Sequence, residues 1–251
     1  MDLDIKGRKA IVCASSKGLG RACAFALARA GVDVVVNGRD AARAEATAQE
    51  IRDATGVKVV VIAGDLGVES VRAALLAACP EPDILVNNNG GPPPAPFEAI
   101  TREKLLNGLE ANMLTPIALA QAVLPGMAAR KFGRVVNITS ASVRAPIAGL
   151  DVSSGARAGL TAFLASAARK YVGANVTINS IQPGVFATDR IAATMGGDPD
   201  KLAERKASIP AGRFGDPEEF GALCAFLCGA QAGFMTGQNI LIDGGAFPGA
   251  F

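Results

Sequence analysis

Short runs of β-branched and other apolar residues alternate with longer alanine-rich runs along the whole chain. The apolar runs predict strands over Ala10–Ala14, Asp33–Asn37, Val57–Ile62, Ile84–Asn87, Arg134–Thr139, Asn175–Gln182 and Asn239–Ile242. The runs between them predict helices over Gly18–Ala30, Ala41–Ala54, Val68–Ala78, Arg102–Arg130, Ser153–Tyr171 and Pro217–Gly229. Stretches such as Val34-Val35-Val36 and Val59-Val60-Val61-Ile62 are apolar at every position rather than at alternate ones. That pattern belongs to parallel strands covered on both faces, whereas a half-exposed strand alternates. The order of elements therefore predicts one α/β domain over residues 1–251, built on a doubly wound, parallel, seven-stranded sheet with right-handed crossovers. No repeat and no Ser/Pro/Gly linker divides it. Asp216-Pro217-Glu218-Glu219 offers an N-cap, a proline at the first helical position and a capping glutamate. Gly91 to Pro96 reads as a stiff loop. The segment Phe186–Arg213 is rich in Gly, Asp and Pro and is long for a connection, which marks a lid or substrate loop.

Composition narrows the chemistry. Half of the 251 residues are hydrophobic and 19% are charged, which suits a large core. The chain has no histidine, so every Ser-His, Cys-His and His-ligated metal site is excluded. Tryptophan is also absent, and the one tyrosine is Tyr171. Proton chemistry is left to Asp, Glu, Lys, Cys, that tyrosine or water. The net charge of +2, without a block of like charge, gives no nucleic-acid footprint. Cys13, Cys23, Cys79, Cys224 and Cys228 have no C-x-x-C spacing and read as small buried residues of a reduced, cytoplasmic protein. The N-terminus lacks the charged-then-apolar pattern of a signal peptide. Phe220 to Ile242 carries no charge, but Gly229, Gln231, Gly233, Thr236, Gly237, Gln238 and Asn239 interrupt it. It reads as buried helix, loop and strand, with no membrane span.

The first strand runs into Ala14-Ser15-Ser16-Lys17-Gly18-Leu19-Gly20-Arg21 and then a helix. Glycines at 18 and 20 let the backbone approach a pyrophosphate on the helix N-terminus, where free N–H groups and the dipole favour anions. The usual first glycine of such a loop is Ala14 here, so the motif alone is equally a tight turn. The second strand ends Val36-Asn37-Gly38-Arg39. An NAD site places an acid there for the ribose 2′-hydroxyl. Gly38 stands at that position, Arg39 follows it, and Lys17 sits in the glycine-rich loop. If they are not simply solvated surface charges, the two cations favour a 2′-phosphate and hence NADP(H). Asp65-Leu66, after the third strand, is placed to meet the adenine.

With these features in view, the chain resembles the short-chain dehydrogenase/reductase family, closest in pattern to its 3-oxoacyl carrier-protein reductase-like members. The resemblance covers nearly the whole chain. It rests on Ser16 to Gly20, Asn87-Asn88-Asn89-Gly90, Asn112, Asn137-Ile138-Thr139-Ser140, Asn179 to Gly184 with Thr188, and Ile242-Asp243-Gly244-Gly245. It implies a Rossmann-type cofactor site in which Ser15, Ser16, Lys17, Gly18, Leu19 and Gly20 form the phosphate loop. Asn88 to Gly90 then support the adenosine side, while Pro183, Gly184, Phe186 and Thr188 lie along the nicotinamide. It further implies that Ser140 is the catalytic serine and that Asn112 holds a proton-relay water.

The resemblance also exposes a departure. The family's catalytic tyrosine position falls on Ser153 and its lysine position on Arg157, within Ser153-Ser-Gly-Ala-Arg157-Ala-Gly-Leu160. Arginine can act as a fixed cation toward the nicotinamide ribose, but it cannot give up a proton. Serine is shorter than tyrosine and a far weaker acid. Other candidates for the proton or the substrate oxygen are Asp151, Ser140 with a water near Asn112, and Arg144. Tyr171 reads as a packing residue. Three classes of function follow: an NADP(H)-dependent reductase of a ketone or 3-oxoacyl-type carbonyl, an enzyme of the same fold doing dehydration or carbon–carbon cleavage, and a cofactor-binding protein with little turnover. The substrate pocket is expected from Pro92–Phe97, Ala141–Leu150 and Phe186–Arg213. Small and apolar residues all round the helices Arg102–Arg130 and Ser153–Tyr171, with the apolar tail Ala246 to Phe251, predict a homotetramer or at least a dimer.

Overall fold

The computed structural model describes residues 2–194 and 196–249. Seven strands form one wholly parallel sheet: β1 (Lys9–Val12), β2 (Asp33–Gly38), β3 (Val59–Ala63), β4 (Ile84–Asn87), β5 (Gly133–Ile138), β6 (Val176–Pro183) and β7 (Asn239–Ile242). Their order is β3-β2-β1-β4-β5-β6-β7. Order reverses between β1 and β4, and this switch point opens a crevice at the C-terminal edge of the sheet.

Side-chain alternation distributes each strand between two cores. Ala10, Val12, Val34, Val36, Ile84, Val86, Val136 and Ile138 pack with α1 (Gly18–Arg29), α2 (Ala41–Thr55) and α9 (Pro217–Cys228) on one face. Ile11, Val35, Leu85, Val135 and Ile178 pack on the other face with α3 (Glu69–Ala78), α5 (Thr115–Ala129) and α6 (Asp151–Tyr171). Both faces are thus dry, as the uninterrupted apolar runs require. The α1 and α9 helices touch so closely that a Cβ on Gly221 would lie 2.5 Å from the Ala22 carbonyl oxygen. The Asp216 side chain and Glu219 complete a capping box at the start of α9. All five cysteines are buried and unpaired, and burial pushes the Cys13 thiol up to about 12.

The helix expected over Arg102–Arg130 is interrupted. It consists of α4 (Arg102–Leu109), a π-turn over Glu110–Leu114 and then α5. Pro116 explains part of this break, because it has no N–H to give to the carbonyl of Asn112. Among the described residues, Arg102–Ala129 is long and apolar enough to cross a membrane by length and composition, but half of its most apolar window is buried in the fold. The charge-free Phe220–Ile242 stretch resolves into α9, a loop and β7, as its glycines and polar residues predict. The first strand ends at Val12 rather than Ala14, since Ala14 turns into the left-handed region at φ 44°. Helix α6 starts at Asp151, ahead of Ser153.

A ladder of buried asparagines ties the C-terminal edge together. Asn87 Nδ2 donates to Asn137 Oδ1 at 2.9 Å, Asn137 Nδ2 to the Asn179 carbonyl at 3.2 Å, and Asn179 Nδ2 to the Met235 carbonyl at 2.7 Å. Buried amide groups favour pairing, and here Asn87 and Asn137 each fix one strand against the next while Asn179 holds the loop before β7.

Candidate active site

A cleft of about 570 Å³ opens at the switch point, lined by the segments that follow β1 to β6. Its size is that of a small-molecule or cofactor site. At its floor, α1 begins at Gly18 after the N-cap residue Lys17, with no side chain capping the first turn, so the leading N–H groups are available to an anion. Gly18 takes φ 58°, and a Cβ there would meet nothing nearer than Thr188 at 3.7 Å. The space above these amides is therefore open.

Gly20 has a different reason to be glycine. A Cβ on it would lie 2.4 Å from the Ala14 carbonyl oxygen and 2.7 Å from Asn88 Nδ2. Asn88 Nδ2 donates to that same carbonyl at 3.1 Å, joining the loops after β1 and β4. Asn37, buried at the end of β2, accepts from the Ala14 N–H at 3.0 Å and donates to the Ile62 and Gly64 carbonyls. Ser15 does not line the cleft; it is buried, gives its hydroxyl hydrogen to the Val12 carbonyl and accepts from the Asn37 N–H.

Lys17, Arg39 and Arg43 line one end of the cleft. Gly38 is closely packed there, since a Cβ would lie 2.4 Å from Ser16 Oγ. The carboxylates on the cleft wall are already engaged. Asp40 caps α2 through the Arg43 N–H, Asp65 accepts from the Gly67 N–H, and Asp189 faces Arg43 at 3.5 Å. Leu66 completes the wall beside Asp65.

Ser140, Ser153 and Arg157 line the other end with Gly90, Pro183, Gly184 and Phe186. Ser140 Oγ accepts from the Ser142 N–H at 3.1 Å and lies 2.9 Å from Ser142 Oγ. Arg157 is enclosed by oxygens. Its Nη1 donates to the Ile138 carbonyl at 2.6 Å, Nη2 to the Asn89 carbonyl at 3.1 Å, and Nε to Ser153 Oγ at 3.2 Å. Burial, and then the charge of Arg190, lower its pKa to about 10. It still carries its proton at neutral pH.

Asn112 lies beside the main cleft, on a second cavity of about 10 Å³ that Arg157 also lines. Its Nδ2 donates to the Gly90 and Gly108 carbonyls, both at 3.4 Å. The Oδ1 atoms of Asn87 and Asn112 are buried without a protein partner, and both residues line this cavity. Its volume is about that of one water probe.

The expected lid is a clasped excursion. Ala187 N–H donates to the Gly215 carbonyl at 2.9 Å and Gly215 N–H to the Val185 carbonyl at 3.0 Å, closing its base. Phe186 packs edge-on against Phe220, 5.4 Å between ring centroids. Beyond this base come α7 (Asp189–Thr194) and α8 (Pro199–Ala207). Thr188, Asp189, Arg190 and Ile191 line the cleft.

Residues 13–246 match the family model described as enoyl-(acyl carrier protein) reductase. The 3-oxoacyl-[acyl-carrier-protein] reductase of Aquifex aeolicus is 34% identical over 98% of this chain and 100% of its own. The structure of a 3-oxoacyl (acyl-carrier-protein) reductase from Agrobacterium tumefaciens C58 with NADP bound superposes with a TM-score of 0.91, at 34% identity over 97% of this chain and 95% of that one. A solved short chain dehydrogenase/reductase family protein gives a TM-score of 0.88, at 31% identity over 99% and 100% of the two chains. The chain belongs to the short-chain dehydrogenase/reductase family.

Within that family frame, some candidates stand apart from the site. Asp151 and Arg144 are exposed and do not line the cleft; Arg144 lies over the Phe247 ring. Tyr171 packs against the α5–α6 core. Of the expected substrate segments, Leu150, Phe186 and residues 188–191 reach the main cleft, whereas 92–97 do not. Two cleft residues are not singled out by the sequence, Arg43 and Arg190, the latter lying unmarked within the expected lid segment. Nothing local marks them, because the fold brings each to the site from a different element.

Gly20→Ala tests the floor of the short-chain dehydrogenase/reductase site. The added methyl should displace the Asn88 amide or the Ala14 turn and destabilise the protein by about 1–3 kcal/mol, as overpacking does. Urea unfolding should show this, and dinucleotide affinity should fall with it. Unchanged unfolding and affinity would contradict the packing described here.

Proposed function

We propose that this protein is an NADP(H)-dependent reductase that converts a ketone or 3-oxoacyl-type carbonyl to an alcohol without a tyrosine proton donor. The observation that carries the reading is the continuity of the cleft. It runs from Lys17, Arg39 and Arg43, over the uncapped start of α1, to Ser140, Ser153 and Arg157. The open space above Gly18 and the cations at the end of β2 suit the cofactor's pyrophosphate and 2′-phosphate. Asp65 and Leu66 are placed for the adenine, Asn88 and Gly90 for the adenosine side, and Pro183, Gly184, Phe186 and Thr188 for the nicotinamide. When bound, NADPH supplies the hydride.

Ser153 stands in the family's tyrosine position and Arg157 in its lysine position. A serine oxygen ends roughly 4 Å nearer its backbone than a phenolic oxygen, by ordinary bond lengths. Its hydroxyl also ionises far above the value of about 10 that makes tyrosine a usable acid. Ser153 Oγ instead accepts from Arg157 Nε. Arg157 spends three N–H groups on Ile138, Asn89 and Ser153 and retains two for a ribose hydroxyl. Ser140 holds the substrate oxygen. The proton comes from solvent, with the small cavity between Asn112 and Arg157 as its route.

The second copy of the chain is the partner we propose, as a homotetramer or at least a dimer. Leu105, Leu106, Leu114 and Phe163, along the α4–α6 region, are large apolar side chains left exposed. Light scattering at micromolar concentration should give a multiple of the chain mass; a monomer would contradict it.

Cofactor choice is tested by titrating NADPH and NADH. NADPH should bind more tightly, and Arg43→Ala should remove about 1.5–3 kcal/mol of that preference as one charge-assisted contact is lost. Equal affinities would sink the assignment. The proton assignment is tested by turnover of a ketone panel. Ser153→Ala should change turnover by less than about tenfold, or ~1.4 kcal/mol of barrier. Ser140→Ala should lose about 10²–10³, as a missing oxyanion donor does. A thousandfold loss in Ser153→Ala with NADPH affinity intact makes Ser153 the donor, and tight NADPH binding without any turnover makes this a cofactor-binding protein.

A further inference from the structure

Ser140 borders the cleft on a short, firmly held piece of chain. Thr139, directly before it, gives its N–H at 2.9 Å and its hydroxyl at 3.1 Å to the Ile181 carbonyl of β6. Ser140 itself is extended, at φ −162° and ψ 148°, and starts a 3₁₀ turn over Ala141–Val143. Ser142 N–H then donates back to Ser140 Oγ at 3.1 Å. A hydroxyl that accepts from the backbone two residues on is an ordinary way to begin such a turn. A second contact is not required by the turn: Ser142 Oγ lies 2.9 Å from Ser140 Oγ.

A pair of hydroxyls can run in either direction, and burial decides it here. Ser142 is 1% exposed and does not line the cleft, whereas Ser140 does. Among the described residues, Ser140 Oγ is the one acceptor that the Ser142 hydroxyl reaches. Were Ser140 the donor, the Ser142 hydrogen would be buried and unpaired, which native interiors avoid. Ser142 is therefore the donor. Ser140 Oγ receives two hydrogen bonds, one for each of its lone pairs. Its own hydrogen takes the direction left over, and a ligand oxygen in the cleft meets that hydrogen and no free lone pair. Donation into a hydroxyl oxygen also strengthens its O–H as a donor.

We propose that Ser142 is a positioning residue that fills both acceptor sites of Ser140. Ser140 then meets the substrate oxygen as a donor only, matched to a carbonyl or alkoxide and not to the hydrogen of an alcohol. Ser142 acts through Ser140, touches no reacting atom, and no proton leaves either serine. Position 153 offers no phenol to share the task, so the direction of this one hydrogen carries more of it. The proposal rests on the reading in which Ser140 holds the substrate oxygen.

The test reads the carbonyl stretch of ¹³C=O-labelled 4-phenyl-2-butanone by infrared difference spectra, in protein saturated with NADP⁺, which has no hydride to give. A donor on the carbonyl oxygen moves the stretch to lower frequency. The shift should be present in the unmodified protein, absent in Ser140→Ala, reduced in Ser142→Ala and regained in Ser142→Thr, which keeps the hydroxyl. Ser142→Cys keeps serine's volume but offers only a weak S–H donor, so its shift should fall between serine and alanine even if threonine packs badly. In turnover with NADPH, Ser142→Ala should lower kcat about 3- to 10-fold, the range of one neutral hydrogen bond. KM and NADPH affinity should move by less than about twofold. Added to Ser140→Ala, the same change should cost nothing further. A full carbonyl shift in Ser142→Ala, or an equal loss of kcat with and without Ser140, would make Ser142 merely structural and overturn the proposal. No shift in the unmodified protein, or one that Ser140→Ala leaves unchanged, would overturn the reading of Ser140 and the proposal with it. The expected shifts without turnover of any ketone would count against the reductase reading alone.

Discussion

A guanidinium inside a protein has to be surrounded by oxygen, and the placement of Arg157 organises the catalytic end of this molecule. Its three donated hydrogen bonds go to the Ile138 carbonyl at the end of β5, the Asn89 carbonyl just beyond β4, and Ser153 Oγ one turn back on α6. Removing one partner from such a buried charge typically costs several kcal/mol, so strand ends and helix hold one another in register. The same contacts determine what Ser153 can do. Its oxygen is held as an acceptor by a cation that cannot take up a proton at neutral pH. A hydroxyl so placed is a donor to a ligand and a poor acid, which is why the chemistry is assigned to a bound hydride donor and to solvent.

The rest of the cleft follows from sheet topology. Parallel strands direct all their C-terminal ends to one edge, and the reversal between β1 and β4 leaves a crevice there. The asparagine ladder through Asn87, Asn137 and Asn179 makes that edge stiff. The phosphate floor, the cations after β2 and the serines after β5 are thus carried on a rigid base, and Arg190 reaches the cleft from the segment after β6.

Much of this architecture is legible along the chain because it obeys local rules. Val34-Val35-Val36 is apolar throughout since both faces of its strand are buried, and Asp216-Pro217-Glu218-Glu219 encodes its own helix start. Gly18 and Gly20 are visible as a motif, although only the packing shows that Gly20 is needed against Ala14 and Asn88. The break in the helix at Glu110–Leu114 is hidden, because an alanine- and leucine-rich run has the same pattern whether the turn is α or π. Arg43 and Arg190 are hidden for another reason. On the chain they are ordinary charges in the first turns of helices, and only the crossover connections bring them to one cleft.

The central claim is that hydride from NADPH reaches a carbonyl carbon in this cleft without help from an acid at position 153. NADPH deuterated at both C4 positions, supplied with the ketones of the panel, tests it most directly through mass analysis of the alcohol. The account predicts deuterium on the carbinol carbon, in the unmodified protein and in Ser153→Ala alike. Alcohol without that label, or labelled alcohol that vanishes in Ser153→Ala while NADPH still binds, would contradict it.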